Sequence, residues 1–285
     1  MAYGIRAQGT EYTEGFKAYI TEGDRVISPF HDIPMIPQGE QFPIVHVVNE
    51  IPRFTNAKKE INKEEKFNPI KQDIKNGKVR FITNVFPQKG YLWNYGAIPQ
   101  TWESTTVDDS WAKCKGDNDP IDAIEIGASV LATGEVYQAK ILGAIAMIDG
   151  GECDWKVLVI KKGDPLFDKI NNLKQVEEHM PGLLDVTREW FRNYKLPSGA
   201  PRNEFALNEE YLDAEEAIKV VKETNKHWIG LVQEQSHEGI SLVNGTNEGT
   251  PGHTTEAYAP EGQEYEPKTE PQEAHDFFFA KSFTI

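Results

Sequence analysis

Between positions 40 and 161 the sequence contains a series of short segments with the pattern of β-strands. Residues 44–51 are mostly β-branched and apolar, and residues 79–86 alternate between two faces. Residues 139–148 and 154–161 are two further apolar runs, and Asp-Gly-Gly-Glu-Cys between them indicates a hairpin. Several short strands within about 120 residues favour a small closed or half-closed β-barrel.

Helical patterns follow the strands. Asn172 is suited to cap a helix over residues 173–180, and residues 183–194 carry apolar side chains at helical spacing. Asp213, with Glu216 three positions later, has the spacing of a capping box at the start of a last helix. We therefore expect a mainly β, α+β fold in which helices flank a β-barrel.

The composition excludes several classes of protein. The net charge of the 285 residues is −15, which argues against a nucleic-acid partner because phosphate backbones need a basic surface. No apolar run approaches the roughly 18 residues of a membrane span, so no membrane partner is expected. Residues 1–20 lack the pattern of a secretory or transit peptide. Two cysteines are too few for a disulfide framework, and we predict a cytoplasmic location.

The composition changes near residue 236. Residues 236–275 are rich in Gly, Pro, Thr and Glu, and they contain no Phe or Trp. Such a segment buries too little apolar surface to offset its ordering entropy, so we predict an extended or disordered acidic arm. The aromatic run 277–279 is interpreted as an anchor that docks on a surface, with a frayed terminus as the alternative. The chain thus divides into one domain over residues 1–235 and a C-terminal extension over residues 236–285.

The most informative motif is Asp-Asn-Asp-Pro-Ile-Asp at residues 117–122. It places Asp117, Asp119 and Asp122 within six positions, next to a proline that stiffens the backbone. Carboxylates this close repel one another, and hard divalent cations with oxygen ligands neutralise them. The motif therefore predicts a site for Mg²⁺, with Mn²⁺ or Co²⁺ as substitutes.

Charged residues also interrupt the predicted strands. Arg80 lies inside an alternating segment, and Asp154 and Lys156 leave the same face of one strand because they are two positions apart. Each residue alone is more simply interpreted as an exposed surface charge. Together with the acidic motif they predict a cavity in which acids bind metals and bases bind a polyanion, as phosphoryl transfer requires. The other charged residues of this set are Glu50, Lys58, Glu60 and Asp149.

Two aromatic motifs add hydrogen-bond donors. Tyr91 and Tyr95 lie in a loop bounded by glycines, and Tyr194 and Lys195 follow one another at the end of a predicted helix. Tyrosine hydroxyls and lysine ammonium groups are good donors to phosphate oxygens. For the two loop tyrosines, a half-buried structural role is an equally good interpretation.

Three other functions fit parts of the pattern. An EF-hand needs Gly at position 122 and Glu at position 128, where this chain has Asp122 and Ala128, and so we exclude it. An aspartyl-phosphate phosphatase needs an apolar strand before its first Asp, whereas residues 113–116 are Lys-Cys-Lys-Gly. An OB-fold nucleic-acid binder is disfavoured by the negative charge, although salt-dependent single-strand binding without phosphate release would support it.

The motifs together resemble those of the family I soluble inorganic pyrophosphatases of the eukaryotic, fungal-like type. The signature Asp-x-Asp-Pro-x-Asp of that family is matched in full by residues 117–122. The resemblance covers roughly residues 10–235 and returns at the terminal aromatic run. Further matching segments are residues 50–53, 56–58, 90–96, 99–103, 154–156 and 190–195.

The resemblance implies a five-stranded OB-type β-barrel that hydrolyses inorganic pyrophosphate to two orthophosphates with several Mg²⁺ ions. It implies that Asp119 is the general base, which accepts the proton of a water bridging two metals. The implied metal ligands are Asp117, Asp122, Asp154, Asp149, Glu60, Glu50 and Glu103. The implied substrate-binding residues are Arg80, Lys58, Tyr95, Lys156, Tyr194 and Lys195, of which the first four also serve catalysis. Tyr91 completes the implied cavity.

The resemblance also implies a homodimer. Arg53, Phe54 and the terminal aromatics correspond to the dimer contact of the family. Phe54 and Phe277 stand where many fungal relatives have Trp, and Trp93 stands where His is frequent, so the details of the contact differ.

Overall fold

The computed structural model describes residues 2–235, 237, 239–260, 266 and 268–280. Its strands, in chain order, are β1 (Tyr3–Gln8), β2 (Lys17–Glu22), β3 (Arg25–Ile27), β4 (Ile44–Ile51), β5 (Lys59–Ile61), β6 (Ile70–Gln72), β7 (Ile74–Lys75), β8 (Lys78–Val79), β9 (Asn84–Val85), β10 (Asn94–Ala97), β11 (Asp122–Glu125), β12 (Val136–Asp149), β13 (Glu152–Lys161), β14 (Glu204–Phe205), β15 (Leu212–Asp213) and β16 (Phe277–Phe278). Its α-helices are α1 (Leu173–His179), α2 (Leu183–Asn193) and α3 (Ala214–Leu231). Short 3₁₀ helices cover Leu196–Ser198, Leu207–Glu209 and Gln272–Ala274.

Five strands pair in a closed ring. The antiparallel pair β12–β13 runs from Ala139 opposite Lys161 to Asp149 opposite Glu152. β13 pairs in parallel with β11, which pairs with β10, and β10 pairs with β4. β4 returns to β12 and completes the ring. The prediction of a mainly β fold is confirmed, and this ring agrees with the predicted five-stranded barrel.

The predicted hairpin joins β12 to β13. Gly150 and Gly151 have φ angles of 63° and 97°, the left-handed region that a two-residue turn between twisted strands requires. The turn is shorter than predicted because the strands extend to Asp149 and Glu152. The register places Met147 opposite Asp154, so the two hairpin aspartates lie on the same face of the sheet.

The strand predicted around Arg80 is wrong. Only Lys78–Val79 and Asn84–Val85 form short strands in that region. The Arg80 N–H donates to the Asp73 carbonyl at 2.8 Å, and the Arg80 carbonyl accepts from Lys58 N–H at 3.0 Å. Residues 80–82 run antiparallel to residues 56–58 through one isolated bridge, Ala57 opposite Phe81, and this pairing is too short to form a continuous strand.

The predicted helices are present. α1 begins after Asn172, whose side chain accepts from Gln175 N–H at 2.9 Å. α3 begins after Asp213, whose carboxylate accepts from the N–H groups of Glu215 and Glu216. The apolar face of α3 packs on the ring strands. Across the described residues, every helix falls short of the length or the apolar character that a bilayer crossing demands.

A second sheet packs beside the ring. It has the strand order β1-β2-β6-β5, and β3 pairs with the second half of β2. A buried cluster that includes Phe30, Ile70, Trp102 and Trp228 fills the space between this sheet, the ring and α3. This packing fixes β5 and the loop after it relative to the acidic motif.

The C-terminal extension contacts the domain. Ile240 and Leu242 are each only 7% exposed and belong to the buried cluster that contains Trp102, so the expectation of little buried apolar surface is wrong at these positions. The domain satisfies the backbone between them, because the Ser241 N–H donates to the Lys63 carbonyl and the Ser241 carbonyl accepts from the Asn68 side chain. Residues 236, 238, 261–265, 267 and 281–285 of the extension lie outside the described residues, and the boundary at 235 stays a prediction.

The aromatic run at the end of the extension lies on the domain. β16 pairs in parallel with β9. The Phe279 ring stacks on Phe86 with a centroid distance of 5.1 Å, and Phe277 makes an edge contact with the same ring at 6.2 Å. The three rings remain partly exposed and form an aromatic surface.

Candidate active site

One cleft, with an empty volume of about 700 Å³, receives side chains from the ring strands, from β5 and from the end of α2. Most of the residues predicted to form the site line it. They are Glu50, Lys58, Glu60, Arg80, Tyr91, Tyr95, Asp117, Asp119, Asp122, Asp149, Asp154, Tyr194 and Lys195. The other two, Lys156 and Glu103, lie directly behind the cleft wall, where they contact its acids.

Sheet register brings two of the acids together. Asp122 begins β11 and lies opposite Lys156 of β13 in the parallel pair. Asp154 is two positions before Lys156 and therefore points to the same side of the sheet. The Lys156 ammonium forms ion pairs with both carboxylates.

Lys156 is a buried cation, only 1% exposed. It donates to the Tyr95 hydroxyl at 2.9 Å, and this hydroxyl donates in turn to Asp122. Burial alone would lower the pKa of Lys156, but Asp122 and Asp154 raise it well above the usual range. Lys156 is therefore charged, and it partly compensates the acids in front of it.

The carboxylates in the cleft are destabilised as anions. Burial raises the pKa of Asp122 to about 7, with Lys156 opposing the rise and Asp154 adding to it. Burial, with Asp119 and Asp154, raises the pKa of Asp117 well above its usual range. Burial and Asp122 do the same to the pKa of Glu50. A bound cation relieves this cost, so the cleft favours cations.

Three carboxylates have the arrangement of a metal site. Ligand oxygens of Glu103, Asp117 and Asp154 lie within 4.8 Å of one another. One Glu103 oxygen accepts from Trp155 N–H at 2.9 Å, and the other is buried without a hydrogen-bond partner among the described residues. An unpartnered buried oxygen next to two more carboxylates suits a hard divalent cation with oxygen ligands. The residues present therefore fit the expected metal.

Two bases form the positive wall of the cleft. The Arg80 guanidinium donates to an Asp73 carboxylate oxygen at 2.9 Å, and Lys58 Nζ lies 3.6 Å from the same oxygen. Lys58 Nζ is also 2.5 Å from Glu60. Burial opposes ionisation of Asp73, but Lys58 and Arg80 hold its pKa below the usual value. The sequence analysis missed Asp73, because an isolated acid after a short strand carries no pattern.

The end of α2 supplies further donors to the cleft. The Tyr194 ring stacks on Trp190 with a centroid distance of 4.9 Å, which fixes the hydroxyl direction. Lys195 forms an ion pair with Asp149 at the end of β12. Burial raises the pKa of Tyr194, so its hydroxyl remains a donor.

Asp119 is paired with a residue that the sequence analysis missed. Lys63 Nζ lies 2.7 Å from an Asp119 carboxylate oxygen. Burial raises the pKa of Asp119, and Lys63 acts against that rise. The Asp119 carbonyl accepts from Glu103 N–H at 2.8 Å, which holds the loop in place. Lys63 gave no signal because it stands in a run of mixed charges over residues 58–66.

The chain is similar to known proteins. An inorganic pyrophosphatase from Emericella nidulans is 50% identical over 247 residues, which are 86% of this chain and 86% of the relative. A mitochondrial inorganic pyrophosphatase from Saccharomyces cerevisiae is 47% identical over 254 residues, which are 87% of this chain and 82% of the relative. The solved structure of inorganic pyrophosphatase from Schistosoma japonicum is 40% identical and has a TM-score of 0.93, covering 97% of this chain and 100% of that chain.

The family model described as Inorganic pyrophosphatase matches residues 47–229. This range contains every residue that the sequence analysis assigned to the site. Because the match spans more than half of the chain and the relatives share nearly half of its residues, the chain belongs to the inorganic pyrophosphatase family, whose members hydrolyse pyrophosphate.

Proposed function

We propose that this chain hydrolyses inorganic pyrophosphate to two orthophosphates in a cleft that binds several Mg²⁺ ions. The observation that carries the proposal is the juxtaposition of the Glu103–Asp117–Asp154 carboxylates with the Arg80 and Lys58 bases at one cleft. Acids for cations and bases for a polyanion are the two parts that phosphoryl transfer needs. Bound Mg²⁺ supplies Lewis acidity, which offsets phosphate charge and makes water more acidic.

We assign the tightest metal position to Asp117, Asp122 and Asp154, of which Asp117 is the least engaged by cations of the protein. No salt bridge engages Asp117 in the described part of the chain, whereas Lys156 pairs with both Asp122 and Asp154. Glu50 has one oxygen committed to Ile61 N–H at 2.7 Å, so only its other oxygen remains for a metal or water. The full proposed ligand set is Asp117, Asp122, Asp154, Asp149, Glu60, Glu50 and Glu103.

We assign the role of general base to Asp119. Its side chain is 37% exposed to the cleft, which gives water access to the carboxylate. Lys63 favours the ionised form, the form that accepts a proton. A general base must come within about 2.6–3.2 Å of the water that it deprotonates, and the backbone bonds of the loop hold Asp119 at the cleft.

The substrate is held from two sides. We propose that Arg80, Tyr194 and Lys195 bind one phosphoryl group, because all three line the cleft and Tyr194 is close enough to Arg80 to affect its pKa. Lys58 and Tyr95 bind the other, and the buried Lys156 polarises the Tyr95 hydroxyl from behind. Fixed donors of this kind stabilise charge that develops on the leaving phosphate.

We propose a homodimer and a cytoplasmic location. The exposed fractions of Phe54 and Phe279 are 56% and 68%, and the Arg53 guanidinium lies 5.6 Å from the Phe54 ring centroid. Exposed aromatic groups flanked by arginine are typical of interfaces.

For the cytoplasmic location, the alternative is the mitochondrial location of the yeast relative. Microscopy of a fluorescent fusion distinguishes the two compartments.

Phosphate release from pyrophosphate and from ATP, with Mg²⁺ or with EDTA, tests the proposed function. We expect rapid release from pyrophosphate with Mg²⁺, slow release from ATP, and none with EDTA. An Asp117→Asn variant should lose activity, whereas Asp168→Asn at an exposed position outside the cleft should keep it. Full activity in EDTA, or binding of single-stranded nucleic acid without phosphate release, would contradict the proposal.

A further inference from the structure

We propose that the C-terminal extension is a working part of the active site, because it positions the loop that carries Asp119. The acid loop is residues 117–122, and the brace is His237 together with residues 239–242. The brace contacts the backbone of Lys63 and the side chain of Trp102, and the side chains of both residues contact the acid loop. The family model ends at residue 229, so the match assigns nothing to the brace.

The first contact runs through Lys63. The Ser241 N–H donates to the Lys63 carbonyl at 2.7 Å, and the Lys63 ammonium lies 2.7 Å from Asp119. The Lys63 carbonyl also accepts from the Asn68 side chain at 3.1 Å. Two donors thus fix the Lys63 backbone, and this restricts the volume that its side chain can search around Asp119.

The second contact runs through Trp102. The His237 ring meets Trp102 edge-on, with a centroid distance of 4.8 Å. The Trp102 indole N–H donates to the Asn118 side chain at 3.0 Å, and Trp102 is 3% exposed. Asn118 has a φ of 74°, an unusual conformation for a residue other than glycine, and the indole bond supports it between two site aspartates.

The brace is held by buried polar groups, which make it a rigid support. The Ser241 carbonyl accepts from His31 Nε2 at 3.1 Å and from the Asn68 side chain at 3.2 Å. His31 and Asn68 are fully buried, and the Ser28 hydroxyl donates to Asn68 at 2.7 Å. Breaking such a network leaves buried groups without partners, so the brace stays in place while substrate turns over.

This inference rests on the proposed role of Asp119, and double-mutant cycles test it on the full chain. Ser241→Pro removes the donor to Lys63, and Lys63→Met removes the ion pair to Asp119. We expect each change to lower kcat about 10-fold with KM within about twofold, because misplacing a base weakens the reaction more than substrate binding. The double variant should be no worse than Lys63→Met alone, since both act through one contact.

The second arm uses His237→Ala and Trp102→Phe. We expect His237→Ala to lower kcat several-fold, with no further loss in the Trp102→Phe background. In protein labelled with ¹⁵N-tryptophan, His237→Ala should shift the Trp102 indole signal, which Trp102→Phe identifies by its disappearance. If Ser241→Pro does not fold, the measurements on His237→Ala and Trp102→Phe test the proposal on their own.

The matched control is Thr246→Val. Thr246 Oγ1 donates to Asp32 at 2.7 Å and ties the same extension to the domain, several residues beyond the brace. We expect this variant to lose stability but to keep kcat within about twofold. Equal kcat losses in Thr246→Val and Ser241→Pro, additive cycles, or brace variants with unchanged kcat would overturn the proposal. An inactive wild-type protein would instead overturn the proposed function, and an active Asp119→Asn variant would overturn the role assigned to Asp119.

Discussion

Arg80 and Asp73 form an ion pair of 2.9 Å at the wall of the cleft, and Lys58 shares the same carboxylate. Asp73 therefore fixes two cations that we assign to the substrate. We expect Asp73→Asn to lower kcat/KM about 10-fold, because both cations lose their common anchor. Steady-state kinetics on pyrophosphate measures this, with Asp24→Asn at an exposed turn as the control. If the Asp73→Asn variant binds substrate as well as wild type or more tightly, then Asp73 only neutralises the positive charge of Arg80 and Lys58 and does not position them.

Replacement of Asp119 tests the general base directly. We expect Asp119→Ala to lower kcat by about 10² or more, the usual scale for a positioned base. Circular dichroism and thermal unfolding should show a folded protein. Hydrolysis near the wild-type rate by a folded Asp119→Ala protein would refute the assignment.

Glu103 offers a test of the metal site that does not depend on turnover. Glu103→Gln keeps the acceptor for Trp155 N–H and removes the charge of the unpartnered oxygen. We expect the Kd for Mg²⁺, measured by calorimetry without substrate, to rise about 10-fold. Glu248→Gln, at an exposed position in the extension, should leave the Kd unchanged. The same Kd in both variants would remove Glu103 from the ligand set.

His31 should make stability depend on pH. The His31 Nδ1 atom accepts from Trp228 Nε1 at 3.0 Å, a bond that protonation of Nδ1 would break. Burial lowers the pKa of His31 from 6.5 to about 4. Between those two pH values the unfolded chain binds a proton that the folded chain does not, so the free energy of unfolding falls as pH falls. The full loss is about 3 kcal/mol, and none of it occurs well above pH 6.5.

Urea denaturation of wild type and His31→Phe, compared between pH 8 and pH 5, isolates this contribution from the other titrating groups. The stability advantage of wild type over the variant should shrink as pH falls. A difference that is independent of pH would mean that His31 titrates in the folded protein as it does in the unfolded chain.

The exposed aromatic surface predicts the oligomeric state. We expect wild type to sediment as a dimer and Phe54→Glu to sediment as a monomer, because a buried unpaired carboxylate is costly at an interface. Ile229→Glu, a similar change at an exposed position on α3, should remain dimeric. A monomeric wild-type protein would contradict the proposed contact.

Local patterns predicted the parts of the fold that local chemistry determines. The bounds of β4 match the predicted segment, and α1 and α3 begin after Asn172 and Asp213, because apolar runs and caps act within a few residues. The alternating pattern gave a wrong strand prediction around Arg80. Alternation reports which side chains are buried, but it does not report which strand pairs with the backbone.

The acids of the site could be found from one dense motif and from the family resemblance. Asp73 and Lys63 could not, because each acquires its role from a partner that the fold brings near. The buried positions Ile240 and Leu242 were missed for a related reason. The groups that satisfy the backbone between them, such as the Asn68 side chain, stand 173 positions earlier in the chain.

The closed ring of β4, β10, β11, β13 and β12 also limits the ways in which copies of the protein can associate. Each of these strands is paired on both sides, so the ring presents no long row of free backbone donors and acceptors that an incoming strand could extend. Association by strand addition, the route to ordered aggregates, is thus disfavoured at the five strands of the ring. Contacts between copies at the ring are therefore made by side chains, and a single substitution can alter each contact.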